Sequence, residues 1–284
     1  MIPRGRLPVR RAGRYRVACR CREAAHVSLS KGQEAQAPQR RSGRRPNRRG
    51  AHVQQSPPAT PPPATRAPAA RDRLPPHLEP VDLLPRQALA TPDAPITSVV
   101  FPLSGALSLL AAADEAVLEV ALVGREGMIG LPVVLGTAVG LNMRVTVQVP
   151  GTALRLSADL LRAELERNAA FRALLLRYAQ ALFSQVMQSA ICNRLHPVEE
   201  RLARWLLMTR DRADDDELPL TQEFISLMLG VRRPGVTVAA GVLHKAGLIR
   251  CSYGRITVTD RERLEASACG CYRIVREQYE RLLG

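Results

Sequence analysis

The residues best placed for chemistry in this sequence are cations rather than nucleophiles. Arg232 and Arg233 stand together just ahead of an apolar helical repeat, Lys245 closes that repeat, and Arg250 and Arg255 flank a Tyr253-Gly254 turn. A guanidinium presents a planar fork of donors that can grip guanine O6 and N7, or a phosphate, in pairs. Between residues 220 and 259, five Lys/Arg meet a single acid, Glu223, which is the local footprint of nucleic-acid contact. Catalytic patterns are missing. There is no phosphate-cradling Gly-rich loop, no His-Glu-x-x-His pair and no nucleophile elbow, and His26, His52, His77, His196 and His244 are scattered, so no enzymatic activity is expected. Six cysteines include two Cys-x-Cys pairs, Cys19/Cys21 and Cys269/Cys271, beside Cys192 and Cys251. That spacing differs from the Cys-x2-4-Cys of structural zinc sites, so free thiols are expected, with no metal and no cofactor.

The elements that must position these cations are legible around them. Thr221 can cap a helix whose apolar positions are Phe224, Ile225, Met228 and Leu229, and Gly230 can end it in the left-handed conformation. Val231 and Arg232 make a turn. Pro234 is expected at the first helical position of a second helix, where a missing N–H costs least. Val236, Ala239, Ala240 and Leu243 give that helix an inner face, and Gly247 closes it. The following LIRCSYGRITVT reads as two strands around Tyr253-Gly254. Helix, turn, helix and hairpin make a winged helix-turn-helix.

The overall charge of +15 supports none of this. Residues 1–73 carry 18 Lys/Arg against 3 Asp/Glu, whereas residues 74–284 carry 23 of each. The N-terminal segment also holds 10 of the 22 prolines and no hydrophobic period, which predicts a disordered basic arm. Such an arm is compatible with nonspecific DNA affinity, with a solvated tail, or with residues upstream of the native start. No apolar run is long enough for a membrane span and no secretory signal follows the basic start, so a cytoplasmic location is expected.

After a Pro-dotted stretch from Leu74 to Pro95, the runs ITSVVF, GALSLLA, AVLEVALV, MRVTVQV and TALRLS read as strands, with glycines at 124, 127, 130, 136 and 140 between them. They suggest a sandwich or barrel. Ser157 can cap a short helix to Arg167, and a long helix is predicted over 168–195 on the repeat Leu174, Leu175, Tyr178, Leu182, Val186 and Ile191. That stripe fits a dimer contact, with packing on its own domain as the other reading. His196-Pro197 breaks the helix. A further helix follows with Leu202, Trp205, Leu206 and Met208 toward a core, and the acidic residues 214–217 read as a solvated loop.

On these motifs the chain resembles the Crp/Fnr family of bacterial regulators. LTQEFISLMLGVRRPGVTVAAGVLHKAGLI is close to that family's C-terminal motif, and VVFPLSGALSLL and VALVGREGMIGLP are similar to its effector domain. The resemblance covers about Leu74 to Gly284. It implies an α+β chain: a double-stranded β-helix (jelly-roll-like) barrel over 74–167, a dimerisation helix over 168–195 and a winged helix-turn-helix over 196–284. It implies a homodimer on double-stranded DNA, with RNA polymerase as a further partner and an unknown small-molecule effector. Arg233 matches the guanine-reading arginine, and Thr221 and Gln222 match positions near the DNA backbone. With Arg232, Gly235, Thr237, Lys245, Arg250 and Arg255 they form the candidate DNA-binding set. Two departures are visible: Arg233-Pro234-Gly235 replaces Arg-Glu-Thr, and Val238 replaces a frequent second arginine. In the effector domain, Gly130-Leu131-Pro132 replaces the Gly-Glu-Leu turn of cyclic-AMP binders, and Asn142-Met143-Arg144 stands where an Arg-Ser pair is expected. Gly130 and Arg144 are therefore the candidate effector residues, without a cyclic-AMP signature. Cys19 and Cys21 do not supply the cysteine cluster of the iron–sulfur branch. A ligand-sensing module that acts on a protein partner is the alternative function.

Overall fold

The computed structural model describes residues 74–113, 116–213 and 215–284; the predicted basic arm lies outside them. After a short 3-10 turn (Pro75–His77), the N-terminal half is built from β1 (Glu79–Leu83), β2 (Ala88–Ala90), β3 (Ser98–Pro102), β4 (Ala106–Ala113), β5 (Ala116–Val123), a one-turn helix α1 (Leu131–Val134), β6 (Met143–Val149) and β7 (Gly151–Ser157). All pairings are antiparallel, in one sheet ordered β1-β7-β3 and another ordered β2-β6-β4-β5. The five predicted strands are present. The Pro-dotted stretch adds β1 and β2, which periodicity did not reveal because β1 has a single buried residue, Leu83.

Strand β4 loses the inside-outside alternation of a sheet with one wet face. Leu107 and Leu109 enter the core between the sheets, while Ala106 and Leu110 enter a second core shared with the C-terminal half. A strand covered on both faces reads as a continuous apolar run, which is the character of ALSLL.

The helices begin where the caps dictate. Ser157 accepts from the Asp159 N–H and starts α2 (Ala158–Arg167). Asn168 accepts from the Phe171 N–H and starts α3 (Ala169–Leu195), about 40 Å long at 1.5 Å per residue. Pro197 holds His196 in extended geometry and ends it. Then follow α4 (Val198–Arg210), β8 (Glu217–Leu218), α5 (Gln222–Leu229), α6 (Arg233–Lys245), β9 (Ile249–Ser252), β10 (Arg255–Val258), α7 (Arg261–Ala266) and α8 (Cys271–Leu283). Strands β8, β10 and β9 form a small antiparallel sheet, so the end of the acidic segment read as loop is an edge strand. Tyr253 (φ 40) and Gly254 (φ 78) both lie at positive φ, as a tight two-residue hairpin turn requires.

Two hydrophobic cores result. One joins the sheets to α2, α3 and the end of α8; the other joins α4–α7 to β4 and β5. On α3, the predicted stripe divides. Leu174, Leu175, Tyr178 and Leu182 are buried in the first core, Val186 is half-buried, and Ile191 is exposed. The exposed apolar seam is another face: Leu176, Phe183, Met187, Ile191 and Leu195.

Candidate nucleic-acid interface

The recognition unit is assembled by its caps and turn. Thr221 Oγ1 accepts from the Phe224 N–H at 3.1 Å, and Gly230 ends α5 at φ 61. A Cβ on Gly230 would also meet Leu118 Cδ1 at 2.7 Å, which a turn of that side chain can relieve, so the need for glycine lies in the backbone. Arg233 opens α6 and Pro234 is its second residue, one position later than expected. The inner face, Val236, Ala239, Ala240 and Leu243, is buried as the pattern predicts.

The outer face of α6 is a bare cationic surface. Arg232, Arg233, Thr237 and Lys245 are exposed, and Gly235 is half-buried with nothing within 4 Å of an added Cβ. The Thr237 hydroxyl lies 2.8 Å from Gln222 Oε1 and 3.1 Å from the Arg233 carbonyl, sharing its proton between them. This contact fixes the start of α6 against the start of α5. Val238 and Val242 add exposed methyl groups to the same face. In the wing, Arg250 is exposed without an ion pair among the described residues, whereas Arg255 pairs with Glu217 of β8. That pairing was not legible from the sequence because Glu217 comes close only through the β8–β10 register. Tyr253, read only as a turn residue, stands fully exposed at the wing tip.

The recognition unit is attached to the sheets by a buried polar chain. Ser108 donates to Gln148 Oε1 (2.6 Å), Gln148 Nε2 donates to Thr209 Oγ1 (2.7 Å), and Trp205 Nε1 donates to Glu119 Oε1 (2.8 Å). Burial pushes the Glu119 carboxyl up to about 7, against the downward pull of the Trp205 hydrogen bond and the charges of Arg204 and Arg212. Alongside, Arg212 pairs with Glu126 at 2.8 Å and donates to the Met208 carbonyl. Burial alone would lower the Arg212 pKa, but Glu126, Tyr279 and Asp211 hold it above its ordinary value.

The N-terminal half holds a cavity of about 260 Å³ between the sheets. Gly130 lines it; Arg144 is exposed and stands outside the lining. The walls are Leu89, Ile96, Val100, Met128, Met143 and similar apolar groups with a few hydroxyls, and no charged side chain is among them. Leu182 of α3 forms part of the wall, so the cavity touches the long helix directly. Near the C-terminal end of α3, the fold gathers residues that spacing had set aside: Cys192, His196, Cys269 and Cys271 place their ligand atoms within 4.8 Å of one another.

Residues 200–267 match the family model described as the Crp-like helix-turn-helix domain. Among solved structures, the chain is similar to FixK2 from Bradyrhizobium japonicum, at 16% identity and a TM-score of 0.57, covering 68% of this chain and 98% of that one. It is also similar to TTHB099, a CRP-family transcriptional regulator from Thermus thermophilus, at 16% identity and a TM-score of 0.55, covering 66% and 96%. A third is the c-di-GMP responsive global regulator CLP of Xanthomonas campestris, at 15% identity and a TM-score of 0.51, covering 66% and 97%. No curated protein sequence matches. No helix among the described residues is long and apolar enough to cross a membrane.

Proposed function

We propose that this chain, which carries a Crp-like helix-turn-helix domain on the Crp/Fnr fold, is a dimeric transcription regulator reading a near-palindromic DNA site. The observation that carries the reading is the two-faced α6. Its apolar side is core, while its outer side presents Arg233 and its neighbours exposed and in no ion pair among the described residues. Arg233 grips a guanine, Arg232, Lys245 and Arg250 neutralise phosphates, and Val238 and Val242 meet thymine methyls. Thr221 and Gln222 lie beside the backbone at the start of α5. Arg255 contributes less than Arg250, because Glu217 already offsets its charge.

Two chains pair along the exposed seam of α3, with Phe183, 62% exposed, near its centre. A symmetric dimer sets its recognition helices about 34 Å apart, on successive major grooves. The signal enters through the cavity between the sheets. Its walls carry no charged side chain and are mostly apolar, which suits a small neutral ligand. Filling it would bear on α3 through Leu182 and so on the pairing of the two chains. RNA polymerase is the further partner that a DNA-bound regulator of this kind would meet.

The exposed Val238 and Val242 also fit the alternative, a sensor that docks on a protein. Selection of bound sites from random DNA with the full chain separates the two readings. The expected result is a pair of inverted half-sites about 10–10.5 base pairs apart, lost on Phe183→Asp with Met187→Asp. Absence of any enriched sequence, with no DNA retardation at moderate salt, would overturn the DNA reading in favour of the protein partner.

A further inference from the structure

We propose that Cys192, His196, Cys269 and Cys271 form a tetrahedral zinc site that fastens the last helix to the end of the long one. The set is assembled from both ends of the C-terminal half. Cys192 and His196 are four residues apart, so a helix turn places them on one face, and Pro197 turns the backbone out at His196. Cys271 is the first residue of α8, and Cys269 precedes it across Gly270. Cys192, Cys269 and Cys271 form a small buried cluster apart from the two large cores.

The distances fit one ion. Zinc bonds of about 2.3 Å to sulfur and about 2.0–2.1 Å to nitrogen put tetrahedral ligands about 3.8 Å apart for sulfur pairs and about 3.5 Å for sulfur and nitrogen. Here Cys192 Sγ lies 3.5 Å from Cys269 Sγ, and Cys271 Sγ lies 3.5 Å from His196 Nδ1. The widest separations within the set do not exceed 4.8 Å. Small side-chain rotations of about half an ångström per ligand would close such a shell. A disulfide would use two of the four groups and leave the histidine without a part; its sulfurs would also need to close to about 2.05 Å.

The surroundings supply what such a centre needs. Zinc with three thiolates and a neutral imidazole carries one negative charge, the three thiol protons having passed to solvent. Arg201 and Arg204 are buried close by, and their hydrogen bonds go to neutral atoms: Asn193 Oδ1 and the Leu229 carbonyl for Arg201, Ser189 Oγ and Met208 Sδ for Arg204. Buried cations of this kind call for an anion, and the thiolate centre is one. Gln188 Nε2 donates to Cys271 Sγ at 3.1 Å, the outer-shell bond that orients a thiolate ligand. Arg201, whose charge acts on Cys192 and Cys269, also donates to the Leu229 carbonyl at the end of α5.

The test is elemental analysis of the full chain purified without chelator under reducing conditions. One zinc per chain is expected. It should persist in Cys19→Ser with Cys21→Ser and be absent from Cys269→Ser with Cys271→Ser. Removal of zinc from the unmodified chain and titration with Co2+ should give the visible bands of a tetrahedral thiolate site, which does not depend on any variant folding. His196→Cys should keep the ion and strengthen the thiolate-to-cobalt charge-transfer band, whereas His196→Ala should weaken binding. The proposal is overturned if the unmodified chain takes up no more Zn2+ or Co2+ than the Cys269→Ser, Cys271→Ser variant. It is equally overturned if the isolated chain carries an iron chromophore, or a Cys192–Cys269 disulfide, in place of zinc.

Discussion

Arginine has opposite fates in two regions of this molecule. Around α4, Arg201, Arg204, Arg210 and Arg212 are all buried and all engaged: with Asn193 and a carbonyl, with Ser189, with Asp216 and with Glu126. On the outer face of α6 and in the wing, Arg232, Arg233 and Arg250 are exposed and held by no ion pair among the described residues. A buried guanidinium must be matched inside the protein, because an unpaired charge there costs several kcal/mol. A guanidinium meant for DNA must stay unmatched, so that its donors are available when phosphate or guanine arrives. The same residue therefore stabilises the fold in one region and is neutral to it in the other.

That contrast can be broken most severely at the junction. Glu126→Ala strands Arg212 without its carboxylate and should cost about 3–5 kcal/mol of stability, read from urea unfolding. A loss under 1 kcal/mol would mean that Arg212 is solvated in solution and does not belong to the buried class.

Glu119 gives the next largest effect, and its sign is set by the raised pKa. The folded chain keeps a proton at about 7 that the unfolded chain releases near the ordinary 4.5. Stability should therefore fall by about 3 kcal/mol as pH rises from 4.5 to 7 and stay level above that. Glu119→Gln retains an acceptor for Trp205 and has no proton to lose, so unfolding midpoints at pH 5 and pH 8 should converge relative to the unmodified chain. An unchanged pH dependence would place the titration elsewhere.

At the DNA face the expected effects move from stability to binding. Arg233→Ala should weaken the cognate site by about 1–3 kcal/mol and relax one base position, with unfolding unchanged within about 0.5 kcal/mol. Equal losses on specific and random DNA would reduce Arg233 to a phosphate contact. The smallest effect separates the two wing arginines. Arg250→Ala should lower the slope of log K against log salt by about 0.9, while Arg255→Ala, already offset by Glu217, should lower it by less. Equal slopes would erase the distinction between paired and unpaired cations within the wing.

Legibility followed the range of the interaction. The cap residues Ser157 and Thr221, the Gly230 turn and the Tyr253-Gly254 hairpin act within four residues of themselves, and the elements they govern appear where the pattern puts them. The stripe on α3 was harder. An α-helix of 27 residues with apolar side chains on several faces does not say which face meets its own domain, and the sheets claimed Leu174, Leu175, Tyr178 and Leu182. Strands β1, β2 and β8 were invisible because each is short or nearly all exposed and is defined by its partner strand.

By itself the sequence determined the caps, the turn chemistry, the position of Arg233 on a helix with one buried face, and the confinement of excess charge to residues 1–73. Those are properties of neighbours along the chain, where backbone geometry and side-chain period leave few choices. Only the tertiary structure decided which arginines are matched, which face of α3 stays open, that the cavity walls carry no charge, and that Cys192 and His196 meet Cys269 and Cys271. Each of these joins residues far apart in sequence, and no local period or spacing records a contact that exists only once the sheets and helices have packed.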